Sequence, residues 1–413
     1  MRISLLLQRE PFGEILEKTL SRFWKLQYGQ DFQIRWYGNR PNIKAMQKRG
    51  EQVWLGNIYL NAIFTPDVEQ AAFDPICREF AHSVVRWRRP LQRAYVSAAS
   101  SHWGAPWLSQ VGLGVSLPIP NTETKLIVGG NHKIRILDHR EGLAYAVLKE
   151  GFDPVFMQRE LETRRLVEQY GVLVPPLEEV GKDGYWFSER YVSGTPTNRL
   201  ADASVAQQAL EDATQSLHLL LNATMREESV SEYAGQLAER ARWHILANHL
   251  LSKNQKESLK QTVEDLIGRI DALLPATENH IVTAVTHGDF QPANILVNED
   301  RVWLIDWEYS SRRQAGYDAF VYGLRSRFPK GLSKRIQKLE QEELESEFLL
   351  VVDNWPGLER HNDSTRWRLR LVLFLLEELV LYLEENENPS FWCLGQGFLD
   401  FEKELWPSLQ VLI

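Results

Sequence analysis

The spacing of apolar and polar positions changes character along the chain. Up to about residue 121 the signals are mixed: a short apolar strand "ISLLLQ", an amphipathic helical run from Ile15 to Leu26, strand-like "FQIRWYG" and "VWLGNIYL", and a helical run from Val68 to Trp87. This block predicts a small α/β domain. The segment "GLGVSLPIPNT" then brings two Gly and two Pro ahead of a change of pattern, which sets the expected boundary between residues 121 and 122.

From 122 to 192 the order is strand, glycine turn and strand in "TKLIVGGNHKIRILD", a third strand in "LAYAVLKEG", a helix from Asp153 to Tyr170, and a strand in "GYWFSERYV". That order predicts an antiparallel sheet with one inserted helix. From 193 to 413 the pattern is mainly helical, with amphipathic runs at Val205–Leu221, Glu232–Leu250, Lys256–Leu274, Leu339–Val352 and Trp367–Glu384. The expected class is α+β: a small α/β domain, then a sheet-rich lobe, then a helical lobe. Polar residues near the seam between the two lobes suggest a cleft.

Composition narrows the picture only slightly. Lys and Arg total 47 against 55 Asp and Glu, a formal charge of -8, which argues against a general nucleic-acid-coating role. Cys77 and Cys393 match no metal or redox spacing, so two free thiols and a reducing, cytoplasmic setting are expected. The N-terminal apolar run is broken at Gln8, Arg9 and Glu10, unlike a secretory signal. The most apolar later stretch, "RLRLVLFLLEELVLYLEEN", has Glu377 and Glu378 in its middle and is too short to span a bilayer. No membrane span is expected, and nothing fixes an oligomeric state.

One stretch interrupts the helical pattern. "THGDFQPANILVNEDRVWLIDWEYS", from Thr286 to Ser310, hems carboxylates and a carboxamide with Ile, Leu, Val and Trp. Such groups lose hydration unless something replaces the water, and a metal ion would do so. Phosphoryl transfer from ATP to a hydroxyl needs metal on the phosphates, a cation on their oxygens and a carboxylate to orient the attacking group. Each need has a candidate: Asp289 as base, Asn294 and Asp306 as magnesium ligands, Lys149 as phosphate cation. Pro292 restricts the loop that carries Asp289 and Asn294. "VWLIDW" can pair beside "NILV" and return Asp306 next to Asn294, offering the hard oxygens that magnesium accepts.

"HGDFQPANIL" followed by "LIDWEYS" resembles the catalytic loop and metal-binding Asp of the aminoglycoside phosphotransferase and choline kinase superfamily, a small-molecule branch of the protein-kinase-like fold. The resemblance is strongest over these 25 residues, extends over Thr124 to Ser326, and leaves the first 120 residues unmatched. It implies Asp289 as catalytic base, Asn294 and Asp306 as metal ligands, and Lys149 in "YAVLK" as the strand lysine. It also implies Glu160, or else Glu162, as that lysine's ion-pair partner, and the backbone of Glu189 and Tyr191 as the adenine-binding hinge. Gly129 and Gly130 in "VGGNHK" stand where a phosphate-cradling loop would lie, without a full G-x-G-x-x-G. "HGD" and "IDWE" replace His-Arg-Asp and Asp-Phe-Gly, which favours the small-molecule branch over protein kinases.

The function implied is an ATP- and magnesium-dependent phosphotransferase acting on a hydroxyl of a small molecule: an amino sugar, a choline-like alcohol, or a sugar or polyol. The alternative is a nucleotide-binding pseudokinase scaffold whose N-terminal domain binds a protein. His287 reads as a brace for the loop, and Asp318 in "AGYDAF" as an architectural anchor. The carboxylates Glu384, Glu385, Glu387, Asp400 and Glu402 read as solvated helix faces rather than as an acidic wall for a cationic acceptor.

Overall fold

The computed structural model describes residues 2–81, 87–276, 279–299, 301–341, 355–356, 358 and 364–412. The chain divides into two compact units: residues 1–157 with 175–193, and residues 158–174 with 194–413.

In the first unit the helices are α1 (Ile3–Arg9), α2 (Phe12–Tyr28), α3 (Ile43–Lys48), α4 (Gln70–Ala81), α5 (Arg88–Ser100) and α6 (Ala105–Leu108). The strands are β1 (Ile34–Tyr37), β2 (Gln52–Asn57), β3 (Ala62–Phe64), β4 (Val111–Val115), β5 (Lys125–Val128), β6 (Lys133–Asp138), β7 (Leu143–Leu148), β8 (Leu177–Val180) and β9 (Trp186–Arg190). All nine join one antiparallel sheet in the order β1-β4-β2-β3-β5-β6-β7-β9-β8. Side chains alternate between its faces with the period of a strand. Trp54, Ile127, Ile134, Ile136 and Val147 pack with Leu6, Phe12, Leu16, Leu20 and Phe23 of α1 and α2. Leu55, Phe64 and Leu126 face the other way, against Phe73 and Ile76 of α4 and Val96 and Ala99 of α5.

Two expectations are corrected here. "ISLLLQ" is helical rather than extended, and its buried positions Ile3, Leu6 and Arg9 recur every third residue, the spacing of a helix face. The boundary expected at 121/122 does not divide the strands into separate sheets, because β3 pairs with β5 through Ala62↔Val128 and Ile63↔Ile127. The glycines that suggested a linker lie inside β4, where a Cβ on Gly112 would crowd Pro41 and one on Gly114 would crowd Glu51.

Helix α7 (Val155–Gln169) carries the chain from the first unit into the second. The second unit holds α8 (Ala203–Thr224), α9 (Val230–Ala247), α10 (Lys253–Leu273), α11 (Tyr317–Gly323), α12 (Leu332–Glu340), α13 (Ser364–Glu385) and α14 (Gln396–Val411). Caps suit the polar residues at their starts: Asp202 accepts from Ser204 N, and Ser252 forms a reciprocal capping box with Gln255. Helix α13 is buried nearly all round, with Leu371 through Leu379 sealed from solvent, so it is the centre of the core. Among the described residues no helix is long and apolar enough to cross a membrane. The expected run from Leu339 to Val352 lies largely outside the described residues.

Six short strands complete this unit: β10 (Thr195–Pro196), β11 (Arg226–Ser229), β12 (His280–Thr286), β13 (Ile295–Asn298), β14 (Arg301–Leu304) and β15 (Ser311–Gln314). They form two sheets, β10-β13-β14 and β11-β12-β15. The loop from His287 to Asn294 leaves β12, and the β13–β14 hairpin follows it at once.

Candidate functional site

Three elements shape the loop after β12. Gly288 has φ +82°, and a Cβ there would run into Tyr309 O, so only glycine lets the chain turn at this point. Asp318, buried in the first turn of α11, accepts from the backbone N–H of His287 at 2.6 Å and of Gly288 at 2.8 Å. It therefore anchors the loop rather than capping its own helix. The His287 ring lies 4.3 Å from the Trp307 ring and contacts Ile305 O through Nε2 at 3.0 Å. Asp289 N donates to His287 Nδ1 at 3.2 Å, which leaves Nε2 as the protonated ring nitrogen. Burial pushes this imidazole down to about 4, so it stays neutral and braces the loop.

Asp289 is gripped from several sides. Gln291 Nε2 donates to both carboxylate oxygens at 3.0 and 2.9 Å, and Asn294 Nδ2 donates to Oδ2 at 2.7 Å and to the Asp289 carbonyl at 2.9 Å. Hairpin register Ile295↔Leu304, extended by Ile305 N donating to Asn294 O at 3.1 Å, returns the chain beside Asn294 one residue before Asp306. Asp306 itself takes a left-handed backbone, φ 68° and ψ 61°, in the turn after β14. The charge of Asp306 reaches Asp289: burial first, then repulsion from Asp306, raise the Asp289 carboxyl to about 7 against the lowering by Arg327, Gln291 and Asn294.

Sequence reasoning missed Arg327. Its Nε donates to Asp289 Oδ1 at 2.9 Å, its Nη1 reaches Glu378 Oε2 at 3.1 Å, and its Nη2 bonds Gly288 O and, at 3.0 Å, Tyr317 OH. Tyr317 OH donates in turn to Glu378. The signal for this network was present in α13, where two acids in an apolar helix call for buried partners. Glu378 has Arg327 and Tyr317; Glu377 accepts from Tyr233 OH and from Gln314 N and Nε2.

The C-terminal acids are correspondingly not a solvated row. Glu384 pairs bidentately with Arg159 at 2.9 and 2.6 Å, Glu387 meets His244 at 2.7 Å, and Glu402 and Asp400 accept from Gln255 and Gln396. Of the two helix glutamates, Glu160 is buried and Glu162 exposed. Helix α7 is tied to the end of the motif by Thr163 Oγ1, 2.6 Å from Ser310 Oγ.

The remaining expected residues lie in the first unit. Lys149, at the end of β7, is fully buried, with Nζ 2.6 Å from Glu10 Oε1 and 2.7 Å from Asn131 O. Gly129 is packed by Ile3 and Leu6, and a Cβ on Gly130 would strike Lys133 O across the turn. Glu189 lies in β9, paired on both edges with Ala144 and Leu177. Tyr191 N–H donates to Gly142 O at 2.8 Å.

Among the described residues no three or more His, Cys, Asp and Glu side chains are grouped to hold a metal by themselves. The donor set at the hairpin nonetheless suits magnesium, which takes one or two carboxylates and fills its octahedron with water and phosphate oxygen. With Nδ2 of Asn294 turned to Asp289, the amide offers its oxygen. The mutual repulsion of Asp289 and Asp306 is the field a divalent cation relieves.

Residues 150–350 match the model of the Phosphotransferase enzyme family. The match covers 201 of the 413 residues. No curated protein matches the chain significantly. Among solved structures, the chain is similar to the choline kinase LicA from Streptococcus pneumoniae, at 13% identity and TM-score 0.44, over 71% of this chain and 92% of that one. It is similar to a choline/ethanolamine kinase family protein from Mesorhizobium loti at 16% identity and TM-score 0.44, over 70% and 87%. A thermostable mutant of the aminoglycoside phosphotransferase APH(4)-Ia, in ternary complex with ADP and hygromycin B, shares 12% identity and TM-score 0.44, over 70% and 92%.

Proposed function

We propose that the protein transfers the terminal phosphoryl group of ATP to a hydroxyl of a small molecule, with Asp289 as the group that orients and deprotonates that hydroxyl. One observation supports this above the rest: a single loop and hairpin bring Asn294 into hydrogen bond with Asp289 and return the chain to Asp306 beside them. A carboxylate held in place beside the metal ligands can orient an acceptor hydroxyl and take its proton in the transition state. Arg327 fixes its orientation from one side. Gln291 Nε2, spread across both oxygens, is the donor that an acceptor hydroxyl would displace.

Asn294 and Asp306 would hold magnesium, which when bound neutralises charge developing on the phosphates. Lys149, beside the glycine turn at Asn131, would supply the cation for the nucleotide phosphates, with Glu160 buried on α7 as the further carboxylate that the resemblance assigns to it. The acceptor belongs to one of three classes: amino sugars, choline-like alcohols, or sugars and polyols.

The test follows ADP release by the full-length protein with magnesium and ATP across panels of these three classes. Magnesium-dependent release, stimulated by one class, is expected. ADP release no greater than a protein-free blank, with and without every acceptor, would instead favour a nucleotide-binding scaffold.

A further inference from the structure

Lys149 owes its place to the start of the chain. Its Nζ contacts Glu10 Oε1 at 2.6 Å and Asn131 O at 2.7 Å, and it lies 5.7 and 4.9 Å from the ring centres of Phe12 and Phe152. Both charged side chains are sealed from solvent. Glu10 stands between α1 and α2, and the segment before it grips the same glycine turn. Ile3 N donates to Asn61 Oδ1 at 2.8 Å, and Asn61 Nδ2 donates to Gly129 O at 3.1 Å. Arg9 Nη1 donates to Asn131 Oδ1 at 2.7 Å, while Ile3 and Leu6 fill the space beside Gly129.

An ammonium buried without a counter-charge tends to lose its proton. Glu10 Oε1 gives the Lys149 ammonium a buried counter-charge from the turn between α1 and α2. Among the described residues Oε2 of this carboxylate is buried without a hydrogen-bond partner, and its side-chain bond runs through Oε1 to Lys149. A structural acid would have both oxygens satisfied.

Resting on the phosphotransferase reading of Lys149, we propose that Glu10 positions the Lys149 ammonium for the nucleotide phosphates. The N-terminal segment that carries no family resemblance is then a working element of the nucleotide site. Glu10 acts through Lys149 and does not itself touch the nucleotide.

The test uses full-length wild type, E10Q, E10D, K149M and the double variant E10Q/K149M, measuring magnesium-ATP affinity by calorimetry, acceptor-free ATP hydrolysis, and thermal melting. E10Q and K149M should each lower kcat/KM for ATP by about 10²-fold, the scale of a displaced positioning group. The double variant should be no worse than K149M alone, and E10D should recover some of the loss. If E10Q does not fold, E10D carries the comparison, with an intermediate loss expected. The proposal is overturned if E10Q and E10D behave as wild type while K149M is impaired, if the two losses multiply, or if E10Q binds ATP more tightly than wild type. A wild type with no affinity for ATP would sink the phosphotransferase reading, and this proposal with it; wild-type binding with an indifferent E10Q would sink this proposal alone.

Discussion

Arg327 offers the sharpest test of how the candidate site is held. Replacing it by Met keeps much of the volume and removes the charge, leaving Asp289 and Glu378 buried without their shared cation. Three further bonds go with it: to Gly288 O, to Tyr317 OH and the second arm to Glu378. Breaking a buried ion pair by removing one partner costs about 3–5 kcal/mol. Losing two carboxylate contacts does not double that figure, because Asp289, already raised to about 7, takes up a proton at neutral pH instead. The expected destabilisation at pH 7 is therefore about 3–5 kcal/mol, a large share of the roughly 5–15 kcal/mol that keeps a domain folded. Urea unfolding of wild type, R327M, E378Q and R327M/E378Q reads it directly, provided the slope m is unchanged. The double variant should regain at least about 1 kcal/mol over the sum of the single losses, since the stranded carboxylate is gone. R327M within about 0.5 kcal/mol of wild type, or strictly additive losses, would refute the network as a charged, coupled unit.

Two further outcomes follow from the same geometry. Burial raises the Glu377 carboxyl from 4.5 to about 7, against its bonds to Tyr233 and Gln314, so the folded state binds a proton more readily than the unfolded chain. Its contribution to stability is complete below about pH 4.5 and is lost as pH rises to about 7, at about 1.4 kcal/mol per pH unit. Melting curves across that window should fall more steeply for wild type than for E377Q, and parallel curves would refute the assignment. Gly288→Ala should lower the melting temperature by the equivalent of about 1–3 kcal/mol and abolish ATP turnover, because the left-handed turn and the carbonyl of Tyr309 admit no Cβ; an active, undiminished variant would show that the loop is not so constrained.

How much of this was legible in the sequence depends on distance along the chain. Asp289, Asn294 and Asp306 lie within 18 consecutive residues, and a proline-restricted loop with a short hairpin suffices to bring them together. Helices α8, α9, α10 and α13 and strands β5 to β7 announce themselves by period alone. Arg327 was invisible because it lies 38 residues from its partner Asp289 and 51 from Glu378, with no local pattern to mark it. The first seven-residue helix was misread because a short apolar run fits strand and helix alike until its contacts are known. The expected boundary failed for a related reason: glycines can mark a linker or a strand pressed closely by Pro41 and Glu51, and only the pairing of β3 with β5 separates the two.

The most direct measurement of the central claim is magnesium-ATP turnover and magnesium-ATP affinity, determined side by side for wild type and D289N. If Asp289 handles the proton, turnover falls by about 10²–10⁴-fold while affinity is little changed. Turnover at the wild-type rate in D289N would contradict the account.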